Sequence, residues 1–268
     1  MSWWWMSPWS GATGCRHARL FLMEAAVQLQ TAAEDARSLL AAARTDWGRP
    51  VPQCPGWDAA DLVRHMGGIL VWMAAVVTSG ERVSRRTLDP GPADPADLPR
   101  WYLASLDRTL DVLGSAGPGS GTWTFSSIGD RRVAWWNRRL AVEVAIHRWD
   151  AQDAVAAAGG PSPDPLDGDV AAAGIEEFMI EFLPGLLAQQ TPGELSGTLH
   201  LHATDGPTEW WIDLEAGGPA VPGHIKADTA VRGTRSDLLL WLTNRRSPDS
   251  LEVLGRKELL GSWTRLRR

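Results

Sequence analysis

The chain has 268 residues, of which 44% are hydrophobic and 22% charged, with a formal net charge of −6. This is enough apolar material for one large domain or two modest ones with a real core, and the mild acidity excludes the basic footprint of a nucleic-acid binder. Two cysteines, Cys15 and Cys54, give no disulfide framework, so a reducing cytoplasm is the expected compartment, and no stretch reads as approaching the ~20 apolar residues of a membrane span.

Residues 1–22 differ from the rest of the chain. Trp3-Trp4-Trp5-Met6-Ser7-Pro8-Trp9 has neither a helical nor a strand period. It also lacks the basic segment and long apolar segment of a signal peptide. The stretch is expected to be a disordered extension; an ordered arm packing its tryptophans is the alternative. Tryptophan is abundant throughout, with 16 residues against one Tyr and four Phe. With Ala and Arg common and Lys only at Lys226 and Lys257, this usage suggests a high-GC, actinobacterial source.

From Met23 to about Asp46, Val27, Ala32, Ala36, Leu39, Leu40 and Ala43 fall at helical spacing. The Pro- and Gly-rich run 49–56 ends that helix. A second helix opens near Asp58, a capping residue, with Asp61 in its first turn. Its apolar stripe is Leu62, His65, Met66, Ile69, Trp72, Met73 and Val76. A third helix is predicted over Arg100–Ser115. Gly117-Pro118-Gly119-Ser120-Gly121 is a flexible connection, followed by an extended piece at Trp123-Thr124-Phe125. A fourth helix spans about Arg132–Ala157, with an inner stripe of Val133, Trp136, Leu140, Glu143, Val144, His147 and Ala151.

A breaker-rich stretch at Gly159–Gly168 is a natural boundary, and one fifth helix is predicted over Asp169–Gln189. Then the period changes to two. Ser196–Ala203 and Thr208–Leu214 read as strands around Asp205-Gly206-Pro207, and Thr229–Arg232 as a third strand. Ser236–Asn244 reads as a short capped helix, Ser250–Leu254 as a strand and Arg256–Leu266 as a closing helix. The expected fold class is α+β: an extension (1–22), a helical bundle (23–158), then a linker helix and a small α+β domain (159–268).

One constellation carries chemistry. Glu143 and His147 are an i,i+4 pair on an otherwise apolar helix face. A carboxylate buried alone there is strongly penalised, and a divalent ion between the two removes the penalty. His65, mid-stripe on another helix, is the natural third ligand, since bundles build metal sites from facing helices. Two His and one carboxylate leave coordination positions open, as catalytic zinc does, and also suit ferrous iron. The bland reading is a hydrogen-bonded Glu–His pair at a crevice with a separate core histidine.

Cys54-Pro55-Gly56-Trp57, followed by Asp61-Leu62-Val63-Arg64-His65-Met66-Gly67-Gly68, resembles the opening signature of the mycothiol-dependent maleylpyruvate isomerase family. Glu143, with His147-Arg148-Trp149-Asp150-Ala151, resembles its second signature. The resemblance covers about residues 23–268 and extends, more weakly, to Val231-Arg232-Gly233 and Asp237–Leu242. It implies a DinB-like four-helix bundle followed by a sterol-carrier-like α+β domain. It also implies a divalent metal, usually zinc, on His65, Glu143 and His147, with mycothiol as co-substrate. Coordination to a divalent cation deprotonates a thiol, and the thiolate is the nucleophile. The expected enzyme therefore transfers sulfur to, or isomerises a cis double bond in, a small electrophile. A metal-dependent hydrolase, a non-catalytic binding module of the same fold and a ferrous oxygenase are the alternatives.

The remaining candidates are weaker. Arg148 and Arg245 are read as anion-binding residues for the thiol or substrate, against surface solvation. Asp150 could orient His147 or be solvated. Cys54 reads as a turn residue rather than a nucleophile, absent a paired base. His200 and His202 share one face of a strand and hint at a second metal site, with no third ligand evident. Expected partners are a small thiol and an electrophile, not nucleic acid or membrane, in a monomer or homodimer.

Overall fold

The computed structural model describes residues 24–189, 196–214 and 220–265, so the expectation for residues 1–22 lies outside the described residues. Four long helices pack together first: α1 (Ala25–Ala43), α2 (Ala59–Ser79), α3 (Leu98–Ala116) and α4 (Val133–Ala157). α1 buries Ala32, Ala36, Leu39, Leu40 and Ala43 and lies chiefly along α4, while α2 lies along α3. The α2–α3 contact is close because Gly67 has no side chain. A Cβ there would sit 2.1 Å from Cζ3 of Trp101.

α2 begins with a complete capping box. The Asp58 side chain accepts from the Asp61 amide at 2.8 Å and the Asp61 side chain accepts from the Asp58 amide at 3.3 Å, which satisfies two otherwise orphaned donors. It ends at Gly80, whose φ of 73° is a left-handed cap that suits glycine. Contrary to the expectation that no stretch reaches a span's length, α2 is long and apolar enough by length and composition to cross a membrane. Its burial against α3 and α4 explains that apolarity as core packing. α4 is buried on nearly every side because α1, α2, α3 and the following helix all pack on it.

The predicted fifth helix is interrupted. α5 (Gly168–Glu177) passes into one π-helical turn at Phe178–Phe182 before α6 (Leu183–Ala188). Four donors hold this turn through Glu181: the Ser126 hydroxyl at 2.9 Å, the Ser127 amide and hydroxyl, and Trp135 Nε1 at 3.0 Å. Periodicity cannot reveal a turn fixed by a carboxylate more than 45 residues from its donors.

The C-terminal region is a five-stranded sheet in the order β3-β2-β1-β4-β5, with β1 (Thr198–Ala203), β2 (Glu209–Asp213), β3 (Val221–Pro222), β4 (Thr229–Gly233) and β5 (Glu252–Gly255). The two-residue β3 was not foreseen. β1 pairs antiparallel with β2 and parallel with β4. Alternation sends Leu199, Leu201, Ile212 and Val231 inward and leaves His200, His202, Glu209 and Trp211 on the other face. α7 (Arg235–Leu242), capped by the Thr234 hydroxyl on the Asp237 amide, packs against α5 and against β1 and β4. α8 (Glu258–Arg265) closes the described chain, with Trp263 stacked 5.3 Å from Trp241. The α+β architecture is therefore as expected, and one continuous core runs from the helices into the sheet.

Candidate metal centre and its flanking cavities

The turn before α2 builds one side of the site. The Cys54 amide donates to the Val51 carbonyl and the Trp57 amide to the Cys54 carbonyl, both at 3.0 Å. That turn places the Trp57 ring 4.8 Å from His65. It also brings Cys54 Sγ within 3.8 Å of Asp150 Oδ2 on α4. Cys54 is thus a turn residue, as expected, but it also has a carboxylate and an imidazole beside it.

His65 from α2 meets Glu143 and His147 from α4. His65 Nε2 and His147 Nε2 each lie 3.6 Å from the same oxygen, Glu143 Oε1. This is too long for a hydrogen bond. It is close to the ligand–ligand edge of about 3.4 Å that tetrahedral zinc imposes with bonds of about 2.0–2.1 Å. The donors of all three residues lie within 4.8 Å of one another. Nitrogen and oxygen ligands at this separation fit a divalent zinc-class ion.

The surroundings orient these three side chains. His147 Nδ1 lies 2.9 Å from Asp150 Oδ2. Arg245 grips the same carboxylate with Nε on Oδ1 at 3.1 Å and Nη2 on Oδ2 at 3.0 Å. Burial alone would raise the Asp150 carboxyl, but the His147 hydrogen bond and the Arg245 guanidinium outweigh it and hold it below its ordinary range. An ionised Asp150 accepts from His147 Nδ1–H, which turns Nε2 towards Glu143; burial opposes the charge on His147, but the Asp150 and Cys54 hydrogen bonds outweigh it and raise the imidazole above its ordinary value. Burial, with the charges of His147, Arg85 and Arg139, lowers the His65 imidazole to about 4. It is therefore neutral near pH 7, the form that ligates metals.

Two cavities flank the cluster. One, of about 230 Å³, lies between α4, α5 and α7 and is lined by Glu143, His147, Glu177, Phe178, Phe182 and Arg245 among others. The other, of about 260 Å³, is lined by His65, Trp72, Arg85, Phe125, Trp136 and Glu143 among others. Glu143 and Arg139 form walls of both. Arg139 donates to Glu143 Oε2 and, at 2.7 Å, to Glu177 Oε2. The aromatic wall of the second cavity belongs to a cluster of Trp72, Trp123, Phe125, Trp135 and Trp136 with edge-to-face contacts. Five of the tryptophan and phenylalanine side chains thus have a packing reason beyond codon usage.

The other sequence candidates separate. Arg245 is at the centre, lining a cavity and pairing with Asp150. Arg148 is not. It is buried on the opposite side of α4, where it meets Asp35 at 3.0 Å, Gln152 at 2.6 Å and the carbonyls of Asp164 and Pro165. The reading of Arg148 as an anion-binding residue is corrected by this placement. One residue step turns 100° around a helix, so the neighbour of an inward His147 faces α1. Asp150 is fully buried, not solvated. Arg139 and Glu177 were missed. Arg139 lies four residues before Glu143 on the same face, a signal that was available; Glu177 arrives only through the packing of α5.

Residues 29–152 match the mycothiol maleylpyruvate isomerase N-terminal domain, and residues 169–262 match the C-terminal domain of the same family. The chain belongs to the mycothiol maleylpyruvate isomerase family. Two solved structures share its fold. One is a mycothiol-dependent maleylpyruvate isomerase, with 14% identity over 86% of this chain and 93% of that chain at a TM-score of 0.58. The other is a histidine-to-alanine mutant described by the same name, with 13% identity, the same coverage and a TM-score of 0.59. No curated protein matches the sequence.

Proposed function

We propose that this chain is a metal-dependent enzyme that uses mycothiol to isomerise, or transfer sulfur to, a small electrophile, with maleylpyruvate-type cis–trans isomerisation as the activity suggested by its family relatives. The observation that supports this most is the convergence of two imidazole nitrogens on one Glu143 oxygen at 3.6 Å each. His65, Glu143 and His147 would hold the ion, and zinc suits the donor set. When bound there, a divalent cation supplies the Lewis acidity that ionises a thiol near neutral pH.

The chain's own residues supply orientation and selectivity. Asp150 is hydrogen-bonded to the His147 ring and is itself held by Arg245, which restrains His147 with Nε2 towards Glu143. Arg139 neutralises the Glu143 oxygen turned away from the two imidazoles. The cavities give two approaches to one centre, which suits a reaction between two molecules. Each approach carries cationic groups: Arg245 in one, Arg85 in the other, and Arg139 in both. Arg245 is paired with Asp150 and Arg139 with Glu143 and Glu177, so Arg85 is the group best placed to meet an anionic reactant. Trp72, Phe125 and Trp136 give the second cavity an apolar wall.

Calorimetric titration of zinc-loaded protein with mycothiol, in buffers of different ionisation enthalpy, tests this reading. Release approaching one proton per thiol is expected, with loss of the signal in Glu143→Ala. Mycothiol binding without proton release, or binding that survives Glu143→Ala unchanged, would move the hydrolase or binding-module alternatives ahead.

A further inference from the structure

We propose a second divalent-metal site, of structural zinc class, formed by His200, His202, Glu209 and His224 on the outer face of the C-terminal sheet. The sheet register assembles it. His200 and His202 alternate onto one face of β1, and Glu209 is the cross-strand partner of His202 on β2. β3 pairs with β2, and the Gly223 amide donates to the Glu209 carbonyl at 3.1 Å, which delivers His224 to the same spot. The four residues each offer a ligand atom, all within 4.8 Å of one another.

A hydrogen-bonded network around Glu209 is the competing explanation, and it leaves one group unserved. Glu209 meets His202 Nδ1 at 2.7 Å through Oε1 and His224 Nδ1 at 3.0 Å through Oε2. His200, only 6% exposed, points Nε2 towards Oε2 at 3.5 Å, and this buried nitrogen has no hydrogen-bond partner. Burying an unsatisfied imidazole nitrogen is unfavourable. A cation in the middle would take a lone pair from each of the three imidazoles and one from the carboxylate. Three nitrogens and one oxygen complete a four-coordinate zinc shell with no open position, the pattern of structural rather than catalytic sites. The ion would tie β2, the edge strand β3 and the segment after β3 to β1. β3 has only two residues, so that edge has few backbone bonds of its own.

The site is separate from the helical centre and is tested without relying on it. Zinc titration against a chromophoric chelator would be run on the full chain carrying His65→Ala and Glu143→Ala, which removes the helical ligands. One equivalent of zinc is expected to remain, with cobalt giving the intense visible bands of four-coordination. Adding His224→Ala, an exposed position that leaves the core untouched, should weaken that binding at least tenfold. Glu209→Gln, nearly isosteric, should do the same. No zinc uptake by the His65→Ala/Glu143→Ala chain would overturn the proposal. So would zinc bound as tightly after His224→Ala and Glu209→Gln as before. Loss of zinc from the wild-type helical centre alone would instead bear on the proposed function and leave the sheet site standing.

Discussion

The helical cluster and the sheet cluster are both built from imidazole and carboxylate, yet the chain assembles them in opposite ways. His65 and Glu143 are 78 residues apart in sequence and meet because two long, buried helices pack side by side. Their supports are buried too: Asp150 is fully enclosed and held by both His147 and Arg245. The sheet cluster comes from one local stretch, residues 200–224, on adjacent strands. Its His224 side chain is 78% exposed, and its carboxylate is held by imidazoles alone among the described residues. A rigid frame with two open cavities suits chemistry on bound molecules. A local, closed and partly exposed set suits a staple.

The sharpest way to break this contrast is Glu143→Ala. It removes the oxygen on which both Nε2 atoms converge. A catalytic centre should then lose zinc and on the order of 10³-fold in kcat/KM, since Lewis-acid stabilisation supplies several kcal/mol. Steady-state kinetics with mycothiol, alongside metal analysis, checks this. Activity within tenfold of wild type would show that the centre is not where the reaction occurs.

Asp150→Asn is the next largest. Asparagine keeps the shape but weakens the hold on His147 Nδ1–H and leaves the Arg245 charge without its partner. Loss of such a supporting group typically costs about 10–100-fold in metal affinity. Zinc competition titration should show that drop at the helical centre and none at the sheet. Equal weakening at both would mean the variant has damaged the fold rather than the ligand geometry.

Legibility followed the same division. The 3.6-residue period placed Glu143, His147 and His65 on inward faces, and their pairing then needed only that the two helices be neighbours. Asp58 and Asp61 announced the start of α2 because capping is a local act. What could not be read was contact between distant segments: the approach of Cys54 to Asp150, the grip of Arg245 on Asp150, and Glu177 beside Arg139. Arg148 was misplaced because adjacency in sequence to His147 means a different face of the helix. On the sheet, alternation showed that His200 and His202 share a face, but Glu209 and His224 needed the β1–β2 register and the unforeseen β3. The π turn left no sequence signal, since Glu181 is held by Ser126, Ser127 and Trp135 across the fold.

That turn allows a finer probe of the helical side. Burial opposes ionisation of Glu181, but the Ser127, Trp135 and Ser126 hydrogen bonds outweigh it, so its folded pKa lies below the ordinary 4.5. A lowered folded value means the stabilisation is complete above about 4.5 and is lost as pH falls through the native value. Glu181→Gln should therefore lower stability near pH 7 by about 1 kcal/mol, allowing for its partial exposure. The gap to wild type should close in acid, as read by urea unfolding at several pH values. A gap independent of pH would assign the loss to shape instead of charge. The smallest expected effect is at the sheet. Excess zinc should raise the melting temperature of the His65→Ala/Glu143→Ala chain by about 2–4 °C per kcal/mol of binding at a domain of this size, and His224→Ala should shrink the rise.

Zinc-edge anomalous diffraction from crystals grown with zinc tests the helical assignment most directly. A peak is expected about 2.0–2.1 Å from His65 Nε2 and His147 Nε2 and at similar range from a Glu143 oxygen, with His147 Nδ1 still on Asp150. A zinc-loaded crystal with no peak among these three side chains, or with His147 turned to present Nδ1 to the ion, would contradict it.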